Sequence, residues 1–235
     1  YTQFALGMAS FAANFLSAAA GGGAGLLQLP ALVLLGLPFT SALATHKLAS
    51  VALGLGAGLR HVQEKTLSTS IVLCILAFGL PGVWLGARLA LVISPLLGTF
   101  FLGILTVSLG VYSLKSPNLG IGYYSGQRGF WTWLMGGIGL FLIGLLNGSL
   151  SSGTGLLVTI WLVRWFKLTY LQSVAYTLIL VGLFWNGTGA LVLGLKGEVQ
   201  WTWIPMLVLG SFVGGYSGAQ LSIARGSSFV KSLFQ

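Results

Sequence analysis

Long apolar runs, broken by a few cationic residues, dominate this sequence. Hydrophobic residues make up 56% of the 235 positions, whereas only 11 Lys or Arg and 2 Asp or Glu carry a full charge. A soluble domain has about a quarter of its residues charged, so that class is excluded. The runs are too long for barrel strands, and in lipid an open chain satisfies its backbone only as helix. The sequence therefore predicts an all-α integral membrane protein.

The polar breaks divide the chain into nine apolar segments, each predicted to be helical. A spanning helix needs about 20 apolar residues, so the chain has no room for a soluble domain. The lone Cys74 leaves no disulfide, zinc site or thiol pair, and we expect no metal, cofactor or nucleic acid to bind. The segments are 3–20, 24–37, 41–59, 68–90, 95–114, 130–150, 155–166, 171–195 and 201–224.

The two halves of the sequence resemble each other. Residues 21–27 match 151–157 at an offset of 130, residues 37–46 match 168–177 at 131, and Gly82 and Gly86 match Gly214 and Gly218 at 132. These collinear blocks indicate duplication of a five-segment unit. We therefore predict a first repeat at 1–116, a cytoplasmic linker at 117–129 and a second repeat at 130–235. Segment 95–114 has no partner, so a tenth helix is expected to be missing.

An odd number of segments per unit predicts that the second repeat is inverted, and the cations test this. If every segment crosses the membrane, eight cations lie on one side of it and two, Arg88 and Lys196, on the other. The eight lie in or beside the loops 60–65, 115–128, 164–167 and 225–231. If the short segments 24–37 and 155–166 are re-entrant, the split is five against five. The bias favours the first arrangement and places those four loops in the cytoplasm.

Inverted repeats with short, glycine-interrupted segments point to a transport site near the midplane. Here those positions are Gly21 to Gly25 and Ser151 to Gly155. Free N–H groups and the dipole at a helix start favour an anion. Inversion would bring the two helix starts together from opposite faces. The alternative is that both are tight turns between packed helices.

Thr45, His46 and Lys47 lie within the span 41–59. A lysine at the centre of a span costs roughly 2.5 to 3.5 kcal/mol, and both acids, Glu64 and Glu198, lie in loops. On a helix Lys47 shares a face with Ser50, Gly54 and Gly58, which packs inward. We interpret Lys47 as a binding partner for a permeating anion; a lysine that snorkels to the interface is the alternative. His46 is either a core histidine or a proton acceptor.

Two sequons, at Asn147 and Asn186, lie in or beside spans, so their amides are interpreted as polar groups of a site or a helix contact rather than as glycan acceptors. Proton or sodium coupling usually relies on intramembrane carboxylates, which the spans lack. An anion that leaves an inside-negative cell needs no coupling ion, since each charge gains about 2.3 kcal/mol per 100 mV. The composition therefore favours export of an anion.

The string GGGAGLLQLPALVLLGLPFTSALATHKLAS, residues 21–50, resembles the signature of the sulfite exporter TauE/SafE family of bacterial and archaeal membrane permeases. The corresponding segment of the second repeat is similar to that family as well; it is residues 147–177, NGSLSSGTGLLVTIWLVRWFKLTYLQSVAYT. The resemblance covers nearly the whole chain. It implies permeation of sulfite, organosulfonates or related anions across the plasma membrane, with the motifs at 21–25, 45–47 and 151–155 as its functional residues.

The main hypothesis is therefore a permease for a small anion, not an enzyme, with no catalytic residues. The alternative is a non-transporting membrane subunit that anchors or assists a partner enzyme. The lipid bilayer and the anion are the expected partners, and a homo-oligomer is left open. The predicted binding residues are Gly22, Gly23, Gly25, Gln28, Thr45, His46, Lys47, Asn147, Ser151, Ser152, Gly153, Thr154, Gly155, Thr177 and Asn186.

Overall fold

The computed structural model describes residues 2–61, 67–115, 129–196 and 199–234; of residues 2, 110, 112–115 and 227–234 it describes the backbone alone. The described residues contain no strand and form nine helical segments, so the predicted all-α fold is confirmed. These are α1 Thr2–Ala20, α2 Ala24–Leu34, α3 Phe39–His61, α4 Thr69–Val92, α5 Pro95–Lys115, α6 Phe130–Ser149, α7 Thr154–Arg164, α8 Tyr170–Gly194 and α9 Ile204–Phe234.

Five helices of the described residues, α3, α4, α6, α8 and the part of α9 up to Gly226, are long and apolar enough to cross a membrane. The helix α8 changes its hydrogen bonding midway: Thr177–Trp185 is π-helical, between two α-helical stretches. The helix α9 has a non-helical residue at Gly226, with φ 75°. The segment boundaries predicted from hydropathy lie within about three residues of the observed ends, except that α9 continues to Phe234, where the prediction ended at 224.

The short helices α2 and α7 are half-length. Each has 11 residues, or about 16 Å of rise, against the roughly 30 Å of a hydrocarbon core. Each follows a glycine in the left-handed region, Gly23 with φ 99° and Gly153 with φ 65°. Because a Cβ disfavours this conformation, glycine is the residue that allows the sharp entry into each helix.

Both half-length helices turn back along the helix before them. Next to the connection between α1 and α2, the Ala24 N–H donates to Ser17 Oγ at 3.0 Å. One helical turn further along α2, Gln28 Nε2 donates to Ser10 Oγ, earlier in α1, at 3.0 Å. The hairpin α1–α2 therefore returns the chain to the end of the bundle at which α1 began.

The second hairpin, α6–α7, has the same form. Trp161 Nε1 donates to the Gly136 carbonyl at 3.0 Å, and Trp165 Nε1 donates to the Thr132 carbonyl at 2.9 Å. These bonds join later residues of α7 to earlier residues of α6, so the two helices are antiparallel. Their turn lies near Asn147 and Thr154, whose side chains are hydrogen-bonded at 2.9 Å.

Helices from the two halves of the sequence pack in exchanged pairs. The helix α1 packs along α9, and α4 packs along α6. At Gly82 a Cβ would contact the Phe141 carbonyl, and at Gly214 it would contact the Phe11 carbonyl. Gly214 follows Gly82 by 132 residues and Phe141 follows Phe11 by 130. The contacts therefore match at the offsets of the sequence repeat, and small residues let the backbones approach closely.

The core lies where α3 crosses α8. A Cβ on Gly54 would lie 2.7 Å from the Gly182 carbonyl carbon, one on Gly189 would lie 2.5 Å from Lys47 Cδ, and one on Gly58 would lie 3.7 Å from Ile179 Cγ1. Later residues of α3 thus meet earlier residues of α8, so the two helices run antiparallel. The face of α3 predicted to pack inward is the face that meets α8.

Candidate functional site

The starts of α2 and α7 meet inside the bundle. A Cβ on Gly22 would lie 2.9 Å from the Gly155 carbonyl carbon, and one on Gly25 would lie 3.0 Å from the Ser151 carbonyl oxygen. Neither helix start could come this close to the other if these positions carried side chains. The two glycine-rich motifs predicted to form one site are therefore in direct contact.

A small polar cavity of about 30 Å³ lies at this contact, enough for a water molecule or two. Ten of the fifteen predicted residues line it: Gly22, Gly23, Gly25, His46, Asn147, Ser151, Thr154, Gly155, Thr177 and Asn186. Seven further residues complete the wall: Ser17, Ala24, Ser50, Leu53, Leu178, Val181 and Gly182. The anion of the main hypothesis would need small movements of this wall to enter.

The backbone at the two helix starts lies along this cavity. In α2 the N–H of Ala24 donates to Ser17 Oγ at 3.0 Å and that of Leu26 donates to the Gly23 carbonyl at 2.8 Å. The first four N–H groups of a helix have no partner within the helix. Gly25, between those two residues, and Gly155, the second residue of α7, both line the cavity. Each brings a helix start with its positive dipole end to the cavity.

The Lys47 side chain is fully buried and lies directly behind this wall. Its Nζ donates to Asn147 Oδ1 at 3.0 Å, to Ser151 Oγ at 3.4 Å and to Asn186 Oδ1 at 3.5 Å. All three acceptors are neutral, and the part of the chain that the structure describes contains no Asp or Glu. The ammonium is thus held inside the bundle rather than extended toward an end of it, which does not fit the snorkelling alternative.

The bonds of Lys47 determine which groups of the wall remain for a ligand. The ammonium takes the amide oxygens of Asn147 and Asn186, so their amide hydrogens point elsewhere, and Asn147 Nδ2 donates to Thr154 Oγ1 at 2.9 Å. Thr154 Oγ1 in turn donates to the Ser151 carbonyl at 2.8 Å. These bonds use the two amide oxygens, the Asn147 amide nitrogen and the Thr154 hydroxyl within the protein. The positive dipole ends of the two helix starts, with the Lys47 charge behind them, remain to act on a ligand. Such a wall favours an anion.

His46 links the cavity to a second polar group between α1 and α9. Its Nδ1 donates to Gln28 Oε1 at 2.9 Å, and Gln28 Nε2 donates to Ser10 Oγ at 3.0 Å. Ser10 Oγ bonds the Leu207 carbonyl at 2.7 Å and Ser211 Oγ at 3.0 Å. Gln28 thus lies one hydrogen bond behind the wall, where it orients the imidazole.

Besides Lys47 and Gln28, three predicted residues lie outside the cavity. Thr45 Oγ1 accepts from the Gln200 N–H at 2.9 Å, on the far side of α3. Ser152 Oγ is bonded to Thr106 Oγ1 at 2.8 Å, between α7 and α5. Gly153 provides the left-handed turn before α7. Their contribution is structural: they hold the loop after α8 and the start of α7 in place.

Ser17 and Ser50 line the cavity but were missed as binding residues. Ser17 lies four residues before the glycine run, on the last turn of α1, and caps the start of α2. Ser50 lies on the inward face of α3 with Lys47, and its hydroxyl is 3.4 Å from His46 Nε2. The shared face was visible in the sequence, so Ser50 could have been included from its spacing alone.

A polar cavity at the meeting of two half-length helices, inside a bundle of apolar helices, is the architecture of a membrane transport protein. A sequence model of the sulfite exporter TauE/SafE family matches residues 6–234. The chain belongs to this family, as the resemblance of its first-repeat string indicated. Transport rather than enzymatic catalysis is therefore confirmed as the class of activity.

Relatives from several bacteria are similar over nearly the whole chain. A probable membrane transporter protein of Haemophilus influenzae is 26% identical over 95% of this chain and 86% of its own length. The probable membrane transporter protein ORF9 of a Sinorhizobium species is 28% identical, over 96% and 85%. The probable membrane transporter protein YfcA of Escherichia coli K12 is 27% identical, over 94% and 81%. No solved structure matches the chain.

Proposed function

We propose that this protein is a permease for a small oxyanion, of which sulfite and organosulfonates are the favoured class, and that the anion binds in the cavity between α2 and α7. One observation carries the proposal: Lys47 is fully buried and its ammonium has only neutral acceptors among the described residues. Burying an unpaired charge is costly. An anion in the adjacent cavity would supply the missing counter-charge.

We further propose that the two halves are inverted in the bilayer. The antiparallel crossing of α3 and α8, which match in the sequence repeat, supports this orientation, because repeats of the same orientation would place these helices parallel. The membrane is the plasma or inner membrane of a bacterium or archaeon, and the loops 60–65, 115–128, 164–167 and 225–231 lie in the cytoplasm. Residues 62–66 and 116–128 lie outside the described residues.

Export is the favoured direction. An inside-negative potential drives a singly charged anion outward by about 2.3 kcal/mol per 100 mV. No carboxylate lies within the described helices to carry a coupling cation against that gradient. The membrane potential alone is then a sufficient driving force.

The test is flux of sulfite or a sulfonate from proteoliposomes with an imposed potential. Lys47→Met should lower the flux about tenfold or more, since the loss of about 1.4 kcal/mol of anion binding corresponds to a factor of ten. Lys167→Met is the control, because Lys167 is exposed in the loop after α7. Both variants should elute as monodisperse protein.

Full flux in Lys47→Met would remove Lys47 from the mechanism. A folded, monodisperse wild-type protein that moves no sulfur oxyanion would overturn the proposed substrate class. Copurification of a stable partner enzyme, together with absent flux, would favour the non-transporting subunit instead.

A further inference from the structure

A large open cleft lies at the end of the bundle where α4 and α8 finish, away from the central cavity. Its volume is about 810 Å³, and two cations line it, Arg88 from the last turns of α4 and Lys196 just after α8. Both side chains are exposed. Nothing in the proposed permeation mechanism uses them.

Arg88 is held in a defined position. Its Cζ lies 4.0 Å from the centre of the Trp84 ring, a cation–π contact that orients the guanidinium plane against the indole. The edge of the guanidinium keeps its N–H donors, which suit the bidentate recognition of a phosphate. No ion pair of Arg88 or Lys196 occurs among the described residues, which contain no acidic side chain; Glu198 lies outside them.

The rest of the cleft is apolar and faces outward. Leu91 and Val92 of α4 and Val192 and Leu195 of the α8 end line it, and Leu195 is 84% and Val92 79% exposed. On the outside of a membrane bundle such surface contacts acyl chains. A small hydrophilic anion would gain nothing from these walls, whereas a molecule with an anionic head and hydrocarbon tails would contact both parts of the cleft.

The depth of the cleft agrees with this ligand. Arg88 lies four residues before the end of α4, and Lys196 lies two residues after the end of α8, so both cations are within about a turn of the ends of helices that span the bilayer. This is the level of the phospholipid head groups. On the cytoplasmic side, basic pockets between membrane helices bind anionic head groups at this depth. Arg88 and Lys196 form a pocket of the same kind at the other end of the bundle.

From this geometry we propose that the cleft is a binding site for an anionic glycerophospholipid, with Arg88 and Lys196 on its phosphate and the apolar wall on its acyl chains. The site is separate from the central cavity, and the proposal does not rest on the transported substrate. Lipid bound here would contact both α4 and α8 and would therefore stabilise their packing.

The test is lipid retention measured by native mass spectrometry on the purified full chain, with phosphatidylglycerol and phosphatidylcholine added at equal concentration. We expect phosphatidylglycerol to bind preferentially and the double variant Arg88→Gln, Lys196→Gln to weaken its binding about tenfold or more. Lys167→Gln is the matched control, since Lys167 lies in the loop before α8 and Lys196 in the loop after it. A single Lys196→Glu variant should weaken binding more than Lys196→Gln.

Three outcomes would overturn the proposal: equal retention of phosphatidylglycerol by the wild type and the double variant, equal retention of phosphatidylcholine and phosphatidylglycerol by the wild type, or competition by glycerol 3-phosphate at the affinity of the lipid. The last would identify a site for soluble anions. All three residues changed in these variants are exposed, so the variants should fold, and an unchanged elution volume would verify this.

Discussion

The position of the Lys47 ammonium depends on Gly189, a residue without a side chain that faces the lysine stem from α8. A Cβ on Gly189 would lie 2.5 Å from Lys47 Cδ and 2.8 Å from Cε, closer than carbon atoms approach without contact strain. The stem of the lysine therefore lies against bare backbone of α8. This contact directs Nζ toward Asn147 and the cavity rather than along the axis of α3.

Gly189→Ala should therefore lower anion flux several-fold while Lys47 keeps its charge, because the added methyl group displaces the lysine stem from its bonds with Asn147 and Ser151. Gly187→Ala is the matched control in the same helix, since its Cβ would lie 3.9 Å from Val51, an ordinary contact. Proteoliposome flux measures both. Equal flux from the two variants would show that the position of Lys47 does not limit transport.

The motif Thr45-His46-Lys47 shows what a sequence pattern can and cannot assign. Successive residues of a helix point about 100° apart, so three neighbours cannot all face one cavity. His46 and Lys47 reach the site or its wall, and Thr45 bonds Gln200 on the other side. Which two of the three face inward depends on the rotation of α3 about its axis, and this is determined by its contacts with α8.

At the scale of the element, the π-helical stretch of α8 is the main departure from regular helix. An i→i+5 bond encloses one residue more per turn than the i→i+4 bond of an α-helix. The offset between the repeats rises from 131 at Thr177 to 132 at Gly214, so the second half holds one extra residue in this interval. The π-helical stretch Thr177–Trp185 lies inside it and lines the cavity with Thr177, Val181 and Gly182.

Deletion of Leu180 should convert this stretch to ordinary α-helix and leave the flanking parts of α8 in place. We expect a folded protein that has lost flux, because the residues lining the cavity have moved. Deletion of Val51 from α3, the matching helix without a π-helical stretch, should lower thermal stability further, since half of that helix must rotate. Melting temperatures in detergent measure the difference, and equal losses would contradict this account of the π-helical stretch.

The helices themselves were predictable, whereas the detail of their hydrogen bonding was not. Hydrophobic runs end where charges, glycines and prolines interrupt them, so the ends of the nine segments could be placed, except the end of α9, which continues past the apolar run to Phe234. Glycine before a short apolar run also predicted the half-length helices α2 and α7. Nothing in residues 177–185 distinguishes π-helical from α-helical bonding, because both bury the same apolar side chains.

At the scale of the whole molecule, Arg60, Lys167, Arg88 and Lys196 lie at the two ends of the bundle, whereas Lys47 is buried between them. The helix directions place Arg60, at the end of α3, and Lys167, after α7, at one end, and Arg88 and Lys196 at the other. This is the separation that the positive-inside rule uses to orient a membrane protein. Lys65 and Arg128, which the sequence predicts at the same end as Arg60, lie outside the described residues.

Single-cysteine labelling should verify this orientation. The only native cysteine, Cys74, is buried and is first changed to alanine. Leu35→Cys and Lys167→Cys then stand at matching ends of α2 and α7. A membrane-impermeant maleimide added to intact cells should label position 35 and not position 167. Labelling of both, or of neither until the cells are opened, would mean that the two halves are not inverted.

The exchanged pairing of helices has a consequence for biosynthesis. The Ser10 hydroxyl of α1 bonds groups of α9 that lie 197 and 201 residues further along the chain. The ribosome therefore delivers α1 to the membrane long before its partner exists, and the polar face with Ser10 and Asn14 must wait among lipids or beside an insertion factor. Contacts between such distant residues form late in folding. The central cavity, which needs α1, α2, α3, α6, α7 and α8 together, can close only after α8 has been synthesised.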